Sequence, residues 1–150
     1  MILKIGITGF FDVRDEIKDE TGYYDFKKIC YSIRMDNLKL LEVCNSDNAR
    51  YFNTSYFYAH FILDDNDLYI LLNKYYPVVA FVQKLEIDKK FIDFKRINVY
   101  FTGYEIINAN ILNSEFTGKE HNLSPVELEQ IKYWQPSSIG NIIYNEWDWF

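Results

Sequence analysis

His60 and His121 are the only imidazoles in the chain, and Cys30 and Cys44 its only thiols. Neither histidine belongs to an H-x-x-x-H pair, and neither has a cysteine or carboxylate at a metal-ligand spacing, so no metal site is expected. The cysteines are too few for a disulfide framework and too far apart for a C-x-x-C redox pair; two reduced, buried thiols are the expectation. A hydrolase or nuclease built on His60 or His121 would have to recruit its partners from distant sequence, because no motif surrounds a serine or cysteine. Gly6-Ile7-Thr8-Gly9, at the end of an isoleucine-rich run, has the outline of a phosphate-binding turn. It lacks the third glycine of the dinucleotide fingerprint and the Lys-Ser/Thr of a P-loop, and negative charge begins at Asp12. A strand end is the simpler reading.

Carboxylates are the abundant functional group. Asp64, Asp65 and Asp67 cluster around Asn66, but a calcium loop starting at Asp64 would need glycine and glutamate where Tyr69 and Tyr75 stand. The cluster offers N-caps to the apolar run 68–76, which reads as a short helix halted before Pro77. Segment 12–20 carries Asp12, Asp15, Glu16, Asp19 and Glu20 against Arg14 and Lys18. In a helix, Asp15/Asp19 and Glu16/Glu20 would repel at i,i+4, so a solvated loop or a weak helix is expected. No spacing separates a general acid from its base. Catalytic residues and cofactors are therefore not expected, and a binding function is.

Composition points the same way. The chain has 150 residues, with 16 Lys+Arg against 22 Asp+Glu and a net charge of −6. That length suits one domain over 1–150, with 49% hydrophobic residues to build a core. The acidic balance argues against direct nucleic-acid binding, which needs surplus cations, and favours a basic protein partner. Aromatics reach 19%, with 13 Tyr and 12 Phe; beside carboxylates such residues serve as anchors of an interface as readily as they fill a core. No signal-peptide h-region and no membrane-length apolar run occurs, so a cytoplasmic protein without membrane contact is expected.

The elements that must position these residues read as α+β: a mainly antiparallel sheet with a few helices packed on it, two of them C-terminal. Residues 2–8 read as a first strand and 26–44 as a hairpin divided at 35–37. After Pro77, VVAFVQKLEI, FIDF, INVYFT and EIINANIL read as short strands of a meander. Ser124-Pro125-Val126-Glu127 is a capping box with proline at the first helical position. It opens a helix over about 125–134 whose apolar face would be Val126, Leu128, Ile131 and Trp134, followed by a second over about 138–147.

The same C-terminal stretch carries a resemblance. Leu123, Ser124, Pro125, Glu127, Leu128, Gln130, Ile131, Tyr133, Trp134, Pro136, Ile139, Gly140, Ile143, Tyr144, Asn145, Trp147 and Asp148 stand at a spacing that resembles the tail of bacterial immunity proteins encoded beside polymorphic toxins, of the contact-dependent growth inhibition and Rhs type. The match spans roughly a fifth of the chain, at its C-terminal end. The resemblance implies a cytoplasmic, non-enzymatic toxin inhibitor that binds a cognate toxin domain, often a nuclease. It transfers no catalytic residue. Asp12, Asp15, Glu16, Asp19 and Glu20 are the first candidates for the toxin contact, and Asp64, Asp65 and Asp67 the second.

Overall fold

β-Branched and aromatic residues between Tyr56 and Val82 build the centre of the molecule. A computed structural model describes residues 2–11, 22–44, 54–119 and 121–147. Helix α1 (Tyr23–Ser32) precedes strands β1 (Leu38–Cys44), β2 (Tyr56–Leu63), β3 (Asn66–Asn73), β4 (Val78–Val82) and β5 (Phe91–Ile92). A 3-10 helix (Lys95–Phe101), strand β6 (Glu105–Ile106) and helices α2 (Ala109–Leu112), α3 (Pro125–Trp134) and α4 (Ile139–Ile143) complete the order. Strands β1 to β5 form an antiparallel meander in sequence order, and β6 pairs parallel with β4. The architecture is α+β, with helices on both faces of the sheet and two at the C-terminal end.

Each face has its own core. Phe57, Ala59, Phe61, Leu68, Ile70, Leu72, Val79 and Phe81 pack under α1 and the 3-10 helix, meeting Phe26, Cys30, Ile97 and Phe101. Tyr56, Leu71, Val78, Ala80, Val82 and Phe91 face Leu3, Ile7, Leu112, Ile142, Ile143 and Tyr144. With both faces covered, the inner strands read as continuous apolar runs, whose period does not distinguish strand from helix. This is why 68–76, expected as a helix, is instead strand β3 and the turn beyond it. Asp64 (φ 47°) and Asp65 (φ 66°) make a left-handed two-residue hairpin turn closed by the Leu63–Asn66 pair. The acidic cluster therefore caps no helix.

Other local expectations change for identifiable reasons. The first half of 26–44 belongs to α1, whose Phe26 and Cys30 are buried one turn apart; only the second half is a strand. INVYFT winds into the 3-10 helix, burying Ile97 and Phe101. Residues 2–8 make no strand beyond a single parallel bridge from Leu3 to His121. Gly6 and Gly9, with φ near +84° and +83°, turn the chain there, and the turn closes around a carboxylate. Glu127, fully buried, accepts from Gly6 N (2.9 Å), Thr8 N (3.2 Å), Thr8 Oγ1 (2.5 Å) and Ser124 N (3.1 Å). The phosphate-like turn does hold an anion, one supplied by its own chain.

The capping box at Ser124 and Glu127 is formed, and α3 spans 125–134 as expected. Its buried residues are Glu127 and Gln130, while Val126, Leu128 and Ile131 are half-buried and Trp134 is exposed. Helix α4 ends at Ile143, four residues short of expectation. The chain turns there because Asn145 Nδ2 bonds to Thr8 O and Ile142 O, while Asn145 N donates to Ser55 Oγ. Trp147, buried, stacks at 6.4 Å and 3° on Trp134.

The β5 edge is closed by side chains. Asn141 accepts from Lys89 N (2.8 Å) and donates to Lys89 O (3.1 Å); Asn113 does the same for Phe91 N and O, both at 2.9 Å. Two amide groups thus stand in for a neighbouring strand along alternate residues, satisfying backbone groups that would otherwise be buried without partners. Gly140 is required beside them, since a Cβ there would lie 2.2 Å from the Phe91 ring.

Candidate functional site

The strand register gathers chemistry at one corner of the sheet. On the face shared with Tyr56 and Leu71, successive rows run Lys39–Ile62–Asp67, Glu42–His60–Tyr69–Val82 and Cys44–Tyr58–Leu71–Ala80. Val82, Leu71 and Ala80 are buried; toward the β1 side Glu42, Lys39 and Asp67 are exposed, with His60, Tyr58 and Tyr69 between. An extra residue at Leu41, a bulge between Leu40 and Glu42, restores Glu42 to this face.

His60 is the centre of the corner. Its ring stacks on Tyr69 at 4.3 Å and 12°, and Nε2 lies 2.8 Å from Asp67 Oδ1. Tyr58 packs edge-on to Tyr69 at 6.0 Å. Burial first, then the neighbouring Cys44, holds the Tyr58 hydroxyl well above its usual value; burial likewise raises Cys44. Both are neutral across the physiological range. Beyond His60, the hairpin presents Asp64 and Asp65 at its tip, where Asp64 N bonds to Asn37 O (3.0 Å) and Asn66 Nδ2 to Asp64 O (3.1 Å). Asp64, Asp65 and Asp67 thus share an exposed, anchored corner with Glu42 and the His60–Tyr69 stack.

Asp12, Asp15, Glu16, Asp19 and Glu20 lie outside the described residues. His121 accepts from Leu123 N through Nδ1 (3.1 Å) and packs 5.9 Å from Phe116, as a loop fastener. It and His60 belong to different parts of the fold. Among the described residues, no group of three His, Cys, Asp or Glu could hold a metal ion, and no helix is long and apolar enough to cross a membrane.

Comparison with protein-family models, curated proteins and solved structures finds no match.

One charged group lies where sequence patterns gave no hint of it. Lys89, between β4 and β5, has a fully buried side chain with Nζ 2.6 Å from Glu146 Oε1 and 5.1 Å from the centre of the Tyr56 ring. The Tyr56 hydroxyl donates to the same carboxylate oxygen. Burial pushes the Lys89 ammonium down, with Glu146 opposing the shift. Glu146 Oε2 is buried without a hydrogen-bond partner among the described residues. A buried ion pair of this kind ties the segment after α4 to the turn after β4, and its worth lies in fixing one arrangement more than in net stability. Cys30, likewise buried, is pushed up to about 12 and is inert as a nucleophile.

Proposed function

We propose that this chain is an immunity protein that binds and neutralises a cognate toxin domain by stoichiometric protein–protein interaction, the toxin being a basic nuclease. The observation that carries the reading is the corner just described: Glu42, Asp64, Asp65 and Asp67 around the stacked His60 and Tyr69. Carboxylates steer a basic partner and set its orientation, while partly buried aromatics supply contact area at small entropic cost. A nuclease must hold phosphates, so its substrate groove is basic, and an acidic surface of this kind complements it. Segment 12–20, the first candidate read from the sequence, adds charge of the same sign to the chain and is proposed as part of the same contact. The C-terminal resemblance supports the same class of partner.

Co-expression with the product of the adjacent upstream gene, followed by capture on a tag carried by this chain, tests the reading. A one-to-one complex that also rescues cells from that product is expected. The absence of both complex and rescue would overturn it. A second reading, a small hydrolase or nuclease, has the His60–Asp67 contact in its favour; His121, with no acidic or nucleophilic partner among the described residues, adds nothing to it. A hydrolysis assay on the chain alone separates the two, since an enzyme turns over substrate and loses that turnover in a His60→Ala variant, whereas a stoichiometric inhibitor has no turnover to lose.

A further inference from the structure

Between the C-terminal end of α1 and the start of β1 lies an open groove of about 700 Å3. Its apolar lining comes from Ile33, Met35, Leu38 and Leu40, and its charged side chains are Arg34 and Asp36. Strand β1 ends the sheet and pairs only with β2 among the described residues, so one of its edges is outside the ladder there. Such an edge is a template for an added strand.

Arg34 is set in place on three sides. Its backbone N donates to the Tyr100 hydroxyl (3.3 Å), which donates in turn to Arg34 O (3.1 Å). Its guanidinium Nη1 donates to Tyr31 O (2.7 Å) and Ile33 O (3.0 Å), the terminal carbonyls of α1. Nε and Nη2 carry no hydrogen bond among the described residues, which leaves part of a preorganised fork for a carboxylate. Asp36 is the groove's one carboxylate, and the Lys39 side chain belongs to the other face of β1, in the row of Asp67.

We propose that this groove binds a short extended peptide from another protein, adding it as a strand beside Leu38–Leu40 with an acidic side chain on Arg34. The apolar residues of the peptide would sit over Ile33, Met35 and Leu40. The bulge at Leu41 sets the length: it breaks the regular edge just past Leu40, which suits a peptide and obstructs pairing along the whole of β1 by a second copy. The groove is built on the α1 face of β1 and the acidic corner on the other face, so this inference stands or falls apart from the immunity reading.

The test is an amide-resolved NMR titration of the full chain with a capped pentapeptide of alternating valine and glutamate, against its glutamine and lysine counterparts. The glutamate peptide is expected to shift amides of 33–40 saturably, the other two binding about tenfold more weakly. Arg34→Gln should bring the glutamate peptide to the level of the glutamine one. Because Arg34 is exposed, that variant keeps the fold, which the rest of the spectrum verifies. Equal affinity for the three peptides, shifts confined to other residues, or an unaffected Arg34→Gln variant would each overturn the proposal. So would concentration-dependent shifts of the same amides without peptide, which would assign the groove to a second copy.

Discussion

Glu127 shows how much one side chain can be asked to do. Its carboxylate satisfies four donors from two stretches of chain distant in sequence: the Gly6 and Thr8 amides, the Thr8 hydroxyl and the Ser124 amide. It forms no salt bridge with any described cation, so hydrogen bonds alone offset its desolvation. A buried donor stripped of its acceptor costs about 1–3 kcal/mol, and the helix cap adds about 1 kcal/mol more. Glu127→Ala should therefore destabilise the protein by about 3–5 kcal/mol, with non-additive losses among donors that share one acceptor. Urea denaturation of the variant checks this; a loss below about 1 kcal/mol would mean that the turn at 4–9 re-forms its bonds elsewhere. Val126, an outward neighbour on the same helix, is the control position, since truncating a half-buried side chain lacks that penalty.

At the scale of elements, the β2–β3 hairpin carries both fold and candidate site. Its turn places two aspartates at positive φ, a conformation aspartate tolerates and glycine prefers. Asp65→Gly should raise stability by about 0.5–1 kcal/mol, the relief of left-handed strain being partly offset by a looser unfolded chain. Thermal unfolding reads it directly, and an unchanged or lowered midpoint would show that the Asp65 side chain holds the turn. If the corner contacts a partner, the same variant loses a charge there and should bind more weakly while folding better, a split between stability and function. The hairpin also shows where sequence ceases to suffice. Ser124, Glu127 and Pro125 signal α3 to the residue, because capping is a local interaction read from four positions. The run Leu68–Asn73 is apolar on both sides of the strand, so nothing in it distinguishes helix from strand until the sheet covers both faces. Asp64, Asp65 and Asp67 were legible as a cluster, but their company was not: Glu42, His60 and Tyr69 join them only through β-pairing across about twenty residues and a bulge at Leu41. Lys89 and Glu146, 57 residues apart, left no pattern at all.

For the whole molecule, the distribution of charge matters more than its total. Segment 12–20 holds five carboxylates against two cations, half of the net charge of −6, and the exposed sheet corner adds Glu42, Asp64, Asp65 and Asp67. Arg34 lies apart from it, in the groove beside β1. A field arranged in this way acts on a basic partner at a distance before any contact forms, raising the association rate and fading as salt screens it beyond about 8–10 Å. Rim charges of this kind alter association far more than dissociation. Association of this chain with the basic partner proposed above should therefore slow about tenfold or more between 50 mM and 500 mM salt, at nearly constant dissociation rate. The triple variant Asp64→Lys, Asp65→Lys, Asp67→Lys should slow association at low salt and flatten the salt dependence, while His60→Ala, which removes a stacked ring and no formal negative charge, should act on dissociation. Stopped-flow binding across salt concentrations measures both. An association rate indifferent to salt, or a triple variant that changes dissociation alone, would place the contact elsewhere on the surface and leave the acidic corner with a purely structural part.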